Sequence, residues 1–158
     1  STTTTTLAYG GLPAWLPTTT APTGQEVAAT PAHPQLAIEG DTVRVDLGAT
    51  TDLVTVTGPS VPPFVAPPPP LTTATLTVSL RSLSGGLTVR ASDFTLVDGN
   101  GVVLHPQFFV GGETAATVSP GRPAVVRVRE FMAVGSGSIL YAPAGRAIAT
   151  WEFTVEND

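Results

Sequence analysis

Apolar and polar residues alternate along much of the chain after residue 36, and the clearest example is the segment from Thr75 to Leu80. Leu76 and Val78 share one side of that segment with Leu80, while threonine and serine occupy the other side. A period of two is typical of β-strands that bury one face. About nine short segments show this period between turn-forming residues, and none shows a helical period. The pattern predicts an all-β protein built as an antiparallel β-sandwich.

One turn is marked clearly in the sequence. Segment 98–101 reads Asp-Gly-Asn-Gly and lies between two apolar segments, 94–97 and 102–104. Glycine tolerates a positive φ, and aspartate and asparagine are the next best residues in such turns, so a β-hairpin is predicted. Just before it, the alternation slips by one residue at Ser92 and Asp93. A slip of this kind predicts a β-bulge or a change of sheet.

Two later segments complete the strand pattern. In the last of them, from Ala147 to Val155, Trp151 shares a side with Phe153 and is therefore assigned to the core. Segment 135–138 reads Gly-Ser-Gly-Ser. This composition predicts a flexible hairpin tip.

The chain divides into two predicted parts. Residues 1–35 form an extended Thr/Pro-rich N-terminal arm, because proline and threonine favour extended backbone and oppose helix. Residues 36–158 form the sandwich, with a Pro-rich loop at 58–70. Four consecutive prolines at 67–70 exclude a helix or a central strand there. The loop is interpreted as a stiff connection, or alternatively as a polyproline recognition segment.

The arm contains a cluster of large apolar residues. A solvated stalk, O-glycosylated on threonine, is one interpretation of the arm, but a stalk does not need tryptophan and tyrosine. Burial of each such side chain contributes about 1.5–3 kcal/mol, whereas ordering the backbone costs about 1–2 kcal/mol per residue. We therefore expect the arm to lie along another surface, either a partner protein or the sandwich itself. The predicted partner-binding residues are Leu7, Tyr9, Leu12, Trp15 and Leu16.

Composition narrows the class of protein. Charged residues make up only 12% of the chain, the net charge is -5, and the seven basic residues are all arginine. This argues against nucleic acid and anionic membranes as partners. The absence of cysteine excludes disulfides and thiol catalysis, and no apolar run approaches the ~18 residues of a transmembrane segment. Because the chain starts at Ser1 without methionine, we expect a processed, extracytoplasmic protein, with a lipid anchor upstream of Ser1 left open.

Three segments resemble telokin-like, immunoglobulin-type domains of secreted proteins and lipoproteins from Gram-positive bacteria and mycobacteria. They are SDFTLVDGNG at 92–101, the Pro-Gly turn at 120–121 before an alternating strand, and TWEFTVEND at 150–158. The resemblance covers roughly residues 38–156 and leaves out the arm and the Pro-rich loop. It implies an immunoglobulin-like antiparallel β-sandwich outside the cytoplasm. It carries no catalytic residues onto this chain.

Candidate catalytic residues are few. A nucleophilic triad needs serine beside histidine and an acid, but His33 lies in the arm and His105 at a strand end. Segment 135–138 lacks the G-x-S-x-G spacing of a nucleophile elbow. Met132 is the single methionine, which argues against a soft-metal site. We predict a protein that is not an enzyme and that carries no cofactor and no metal.

Two polar groups have structural interpretations. Asp93, Asp98 and Asn100 place oxygen atoms near one another, but they lack the spacing of a calcium loop, so turn formation is favoured. Three arginines form either a small basic face or a solvated strand face paired with glutamates. These are Arg122, Arg127 and Arg129.

The sequence predicts a non-enzymatic, extracytoplasmic interaction or accessory module that docks on a larger cell-envelope assembly through its N-terminal arm. The alternative is a structural or decoration subunit of a surface, fibre or capsid assembly, which a Thr-rich composition of low charge suits. A carrier that holds a small ligand between the sheets is a weaker alternative.

Overall fold

The computed structural model describes residues 25–64, 66–108 and 115–156. Thirteen β-strands lie within these residues, together with two short 3-10 helices at Ala91–Asp93 and Pro143–Gly145. The strands are β1 (Glu26–Ala29), β2 (Gln35–Ile38), β3 (Thr42–Asp46), β4 (Thr51–Ser60), β5 (Leu71–Ser84), β6 (Leu87–Arg90), β7 (Phe94–Val97), β8 (Val103–Leu104), β9 (Gln107–Phe108), β10 (Ala115–Val118), β11 (Ala124–Ala133), β12 (Gly135–Tyr141) and β13 (Ala149–Val155).

The strands form two main sheets that share one core. The larger sheet has the order β1-β3-β4-β5-β11-β9, the smaller has the order β2-β13-β12-β7-β8, and β10 pairs with β6 separately. This arrangement confirms the predicted β-sandwich. Most neighbouring strands are antiparallel, but the pairs β1–β3 and β2–β13 are parallel. No helix among the described residues is long and apolar enough to cross a membrane.

The core is formed by the inward residues of both sheets, which alternate with outward residues as the sequence predicts. Trp151 is 0% exposed at its centre, so its assignment to the core is confirmed. Its indole N–H donates a hydrogen bond to the main-chain oxygen of Asp41 at 3.0 Å. Beside it, the rings of Phe94 and Tyr141 stack with centroids 5.0 Å apart. Burial of each large side chain here contributes about 1.5–3 kcal/mol.

The sandwich begins earlier in the chain than the sequence indicates. Strand β1, which the predicted boundary at residue 35 assigned to the arm, pairs with β3 through four residues. Ala29 at its end is 1% exposed and belongs to the core. Four residues are too few to show a reliable alternation, so this strand could not be recognised. Residues 1–24 lie outside the described residues, and their assignment to an arm stays a prediction.

The slip in alternation at Ser92 and Asp93 is a change of sheet. Strand β6 pairs with β10, whereas β7 joins β12 in the five-stranded sheet. The 3-10 helix at Ala91–Asp93 makes the transition. The Asp93 carboxylate stabilises it by accepting the Arg90 main-chain N–H at 2.8 Å.

The turn at 98–101 joins β7 to β8 as predicted, and the carboxylate of Asp98 holds it in place. Its Oδ1 accepts the main-chain N–H groups of Asn100 and Val102, each at 2.9 Å. Its Oδ2 accepts the N–H of Ala133 at 3.1 Å, so the hairpin is fastened to the end of β11. A Cβ at Gly99 would lie 2.5 Å from the main-chain oxygen of Val134, which is why glycine is required there.

The prediction of a flexible hairpin tip at 135–138 is wrong. These residues open β12, which lies in the five-stranded sheet between β13 and β7. The tight connection from β11 falls just before them, and Gly135 begins β12 with φ of +116°. Glycine and serine have low β-propensity, but pairing with β13 along all four residues, and with β7 from Ser138 onward, overrides that preference.

The Pro-rich loop connects two neighbours of one sheet. Strands β4 and β5 pair antiparallel within the six-stranded sheet, and the loop joins the end of β4 at Ser60 to the start of β5 at Leu71. It is therefore a long hairpin connection rather than a link between the sheets.

Three polar side chains are buried in the core without hydrogen-bond partners among the described residues. Asp52 is 1% exposed, and both of its carboxylate oxygens are unpaired. The hydroxyls of Thr50 and Tyr141 are unpaired as well. Burial, together with the charges of Asp93 and Asp52, raises the pKa of Tyr141 above its usual range, so the phenol stays neutral. An unpaired buried polar group costs about 1–3 kcal/mol, and a charged one costs more.

We expect Asp52→Val to raise the free energy of unfolding by about 1–3 kcal/mol, because it removes a buried carboxylate that lacks partners. Urea denaturation at neutral pH measures the change. Thr50→Val is the matched control, since it removes one unpaired hydroxyl and should give a smaller gain. A loss of stability in Asp52→Val would show that the carboxylate is satisfied in solution.

The Asp98 turn predicts a change in acid stability. Burial raises the pKa of Asp98, but the three main-chain N–H donors outweigh it and hold this pKa below the usual range. The ionised carboxylate thus stabilises the fold above the unfolded pKa of about 3.9, and this stabilisation is lost as pH falls through the folded pKa.

Asp98→Asn should therefore be less stable than the native protein at pH 7, and the difference should shrink below about pH 4. Denaturation midpoints measured from neutral pH to acid check this. Asp46→Asn is the control, because the Asp46 carboxylate accepts one N–H, from Gly48 in an exposed turn. Parallel curves for Asp98→Asn and the native protein throughout acid pH would contradict it.

Candidate binding groove

The two outer faces of the sandwich differ in charge. The six-stranded sheet carries four of the seven arginines on its outer face, whereas the described strands of the five-stranded sheet contain no arginine. Both outer faces expose apolar side chains: Leu36 (64%), Ile38 (60%) and Val103 (55%) on the five-stranded sheet, and Val125 (60%) and Phe131 (61%) on the six-stranded sheet. The four arginines of the six-stranded sheet are Arg44, Arg81, Arg127 and Arg129.

A groove with a volume of about 690 Å³ crosses the outer face of the five-stranded sheet, and we call it the β12 groove. Ser136 to Ser138 form its floor, and Ile38 and Val97 provide apolar walls on either side. The remaining lining residues are Glu39, Asp98, Glu152, Phe153, Thr154 and Glu156.

The short side chains of β12 explain why the surface is concave there. Ser138 lies between Val97 of β7 and Glu152 of β13, whose side chains are longer. Gly137 faces the interior, where a Cβ would lie 2.8 Å from the ring of Phe153 and 2.7 Å from the main-chain oxygen of Val97. Glycine at 137 is thus required by packing, while serine on either side leaves the hollow above the sheet.

Hydroxyl and carboxylate oxygens dominate the polar chemistry of the groove. Ser136, Ser138 and Thr154 offer hydroxyls, and Glu39 and Glu152 offer carboxylates. The lining residues include no histidine that would serve as a general base for these hydroxyls. No group of three or more acidic, histidine or cysteine side chains that could hold a metal occurs within the described part of the chain. The arrangement is suited to binding an extended segment that donates hydrogen bonds and carries no negative charge.

Gln25, the first described residue, lies near Ile38, which forms one wall of the β12 groove. The Asp41 carboxylate accepts the N–H of Gln25 at Oδ1, at 3.0 Å, and the N–H of Ile38 at Oδ2, at 3.1 Å. One carboxylate therefore holds the main chain of Gln25 beside that of Ile38. Gln25 directly precedes β1 of the six-stranded sheet, and its carbonyl accepts the Thr42 N–H at 2.8 Å, so the described chain begins where the two sheets meet.

The sequence-predicted partner-binding residues are not placed by the structure. Leu7, Tyr9, Leu12, Trp15 and Leu16 all lie outside the described residues, so their role stays a prediction.

The other candidate residues have structural settings. Asp93 and Asp98 accept main-chain N–H groups, in agreement with turn formation. His33 is exposed in a turn with Thr30, and His105 lines a separate cleft of about 400 Å³ beside Arg90. The sequence analysis missed Ser136 and Ser138, because their segment was interpreted as a hairpin tip. The available signal was the strand alternation that continues from Ser136 into Ile139 and Tyr141.

No protein-family model matches the chain, and no curated protein matches it. Among solved structures, the secreted protein MPT63 of Mycobacterium tuberculosis is similar, with 16% identity and a TM-score of 0.57 over 77% of this chain and 99% of that chain. The yjhA protein of Bacillus subtilis has 11% identity and a TM-score of 0.48 over 76% of this chain and 99% of that chain.

An uncharacterized β-sandwich protein of Clostridium difficile has 8% identity and a TM-score of 0.46, over 77% of this chain and 95% of that chain. The likeness to MPT63 shows a shared β-sandwich fold. The more specific telokin-like assignment stays a resemblance.

Proposed function

We propose that the protein is a non-enzymatic interaction module that works outside the cytoplasm and docks on a larger cell-envelope assembly through its N-terminal arm. The observation that carries this proposal is the β12 groove, which combines apolar walls with hydroxyl oxygens and contains no histidine or cysteine. Such a surface binds a polypeptide segment rather than performing chemistry on it. The fold shared with a secreted protein supports the extracytoplasmic location.

The exposed apolar residues around the groove support a binding role. Leu36 and Ile38, two residues apart on β2, each expose more than half of their surface on one sheet face. Contiguous exposed apolar residues mark interaction sites, because leaving them in water costs about 25 cal/mol per Å². Strand β2 also lies at the edge of its sheet, where a partner strand can add main-chain hydrogen bonds.

The arm provides the complementary contact in this proposal. Its apolar cluster, Leu7 to Leu16, contains tryptophan, tyrosine and leucine. Tryptophan and tyrosine supply most of the binding energy at many interfaces. Docking on a partner would also offset the entropy that ordering a Thr/Pro-rich segment costs.

A structural or decoration subunit is the second candidate. The observation that favours it is the contrast between the arginine-bearing face of the six-stranded sheet and the glutamate-bearing face of the five-stranded sheet. Two different complementary faces on one molecule lead to head-to-tail assembly. Gel filtration distinguishes the candidates, because self-association of the pure protein favours this one.

Deletion of residues 1–24 should abolish association with the envelope assembly and leave the sandwich folded, since β1 begins after them. Chemical cross-linking in intact cells, followed by detection of the cross-linked complex, measures association. Thermal unfolding of the purified truncated protein measures the fold.

A chain in which Thr2 to Thr6 are replaced by serine is the matched control and should associate normally, because the apolar cluster is intact. Normal cross-linking of the truncated protein would contradict the proposal.

A further inference from the structure

We propose that the β12 groove is the binding site of the chain's own N-terminal arm, with the segment from Leu7 to Leu16 lying across it. This inference rests on the proposed function, in which the arm is the contact with a partner. It adds that the arm occupies the groove when no partner is present, so that a partner must compete with the groove for the arm.

The arm begins close to Ile38. Asp41 holds Gln25 beside Ile38 through one carboxylate, and Ile38 is a wall of the groove. Gln25 directly precedes β1, the edge strand of the six-stranded sheet, and its carbonyl accepts the Thr42 N–H at 2.8 Å. The preceding residues therefore leave the sandwich at the side where the two sheets meet, next to the main chain of Ile38.

The arm is long enough to cross the five-stranded sheet. Strands in a sheet lie about 4.8 Å apart, so the five-stranded sheet is about 19 Å wide from β2 to β8. Leu16 lies nine positions before Gln25, and in an extended polyproline-like backbone these nine steps span about 28 Å. Trp15 and Leu16 can therefore reach any strand of the sheet.

The side chains of the arm match those of the groove chemically. Residues 1–24 contain no charged side chain, so the arm adds no like charge to the carboxylates that line the groove. The indole N–H of Trp15 and the hydroxyl of Tyr9 are hydrogen-bond donors. The rim of the groove offers acceptors, the carboxylates of Glu39 and Glu152. On the other outer face, the arm would meet the side chains of four arginines, which offer hydrogen-bond donors and no acceptors.

The arm and the groove belong to the same polypeptide chain. A segment tethered close to its site experiences an effective concentration in the millimolar range. This favours the chain's own arm over the arm of a second copy at ordinary protein concentrations. The exposed apolar walls of the groove, Ile38 together with Leu36 beside it, then gain a cover within the same molecule.

The test uses the fluorescence of Trp15 in the full-length protein. The chain has two tryptophans, and Trp151 is buried in the core, so subtracting the spectrum of Trp15→Phe isolates the arm. Ser138→Arg fills the floor of the groove with a long charged side chain. Ser79→Arg is the matched control, because Ser79 is also outward and half-buried on a central strand, but in the six-stranded sheet.

In the native protein we expect blue-shifted Trp15 emission that acrylamide quenches poorly. The quenching constant should rise severalfold in Ser138→Arg and stay unchanged in Ser79→Arg. Exposed Trp15 in the native protein, or protection that survives Ser138→Arg, would overturn the proposal. Protection that increases with protein concentration would also overturn it, in favour of arm exchange between copies.

A second measurement applies even where Ser138→Arg fails to fold. The chain has no cysteine, so Leu12→Cys combined with Ser138→Cys gives a unique pair for a short bis-maleimide linker. We expect an intramolecular cross-link in this pair and none when Ser79→Cys replaces Ser138→Cys. Equal linking of both pairs, or none in either, would refute the groove as the site.

These outcomes are independent of the proposed function. The fluorescence and cross-linking experiments use the isolated protein and report only where the arm lies. The deletion experiment in cells reports only whether the arm is needed for assembly. A failure of one therefore leaves the other standing.

Discussion

The hydrogen bond from the Trp151 indole to the main-chain oxygen of Asp41 links the centre of the core to the turn between the two sheets. That turn carries the chain from β2 in the five-stranded sheet to β3 in the six-stranded sheet. The carboxylate of the same residue holds both Gln25 and Ile38. The packing of the core, the position of β2 and the point where the arm begins thus depend on one residue, Asp41.

The second constraint is the small size of the side chains at the start of β12. A central strand normally buries side chains on one face and covers the sheet with larger side chains on the other. In β12 the inward position of Gly137 is left empty so that the ring of Phe153 can fill it from the neighbouring strand. The outward serines then leave a hollow between Ile38 and Val97. The same short segment thus allows close packing on one side of the sheet and forms the hollow on the other.

Sequence periodicity predicts the parts of this fold whose residues alternate over at least five positions. Strand β5 and the strand that contains Trp151 were recognisable for this reason, and the Asp98 turn was recognisable from its glycines. Strands β1 and β2 are four residues long and pair in parallel with distant partners, so nothing local indicates them. The groove was missed because Gly-Ser-Gly-Ser has the composition of a turn. Only its pairing with β13, joined by β7 at Ser138, makes it a strand.

The uncharged character of residues 1–24 and the hydroxyl-lined floor of the β12 groove have a consequence for the surroundings in which they can work. Contacts between solvent-exposed charges weaken as ionic strength rises, because counter-ions screen them. Contacts built from apolar surface and neutral hydrogen bonds are insensitive to screening, and excluded salts strengthen them. The apolar part of a contact between residues 1–24 and the β12 groove would therefore keep its strength as salt rises, whereas hydrogen bonds to the carboxylates of Glu39 and Glu152 would weaken.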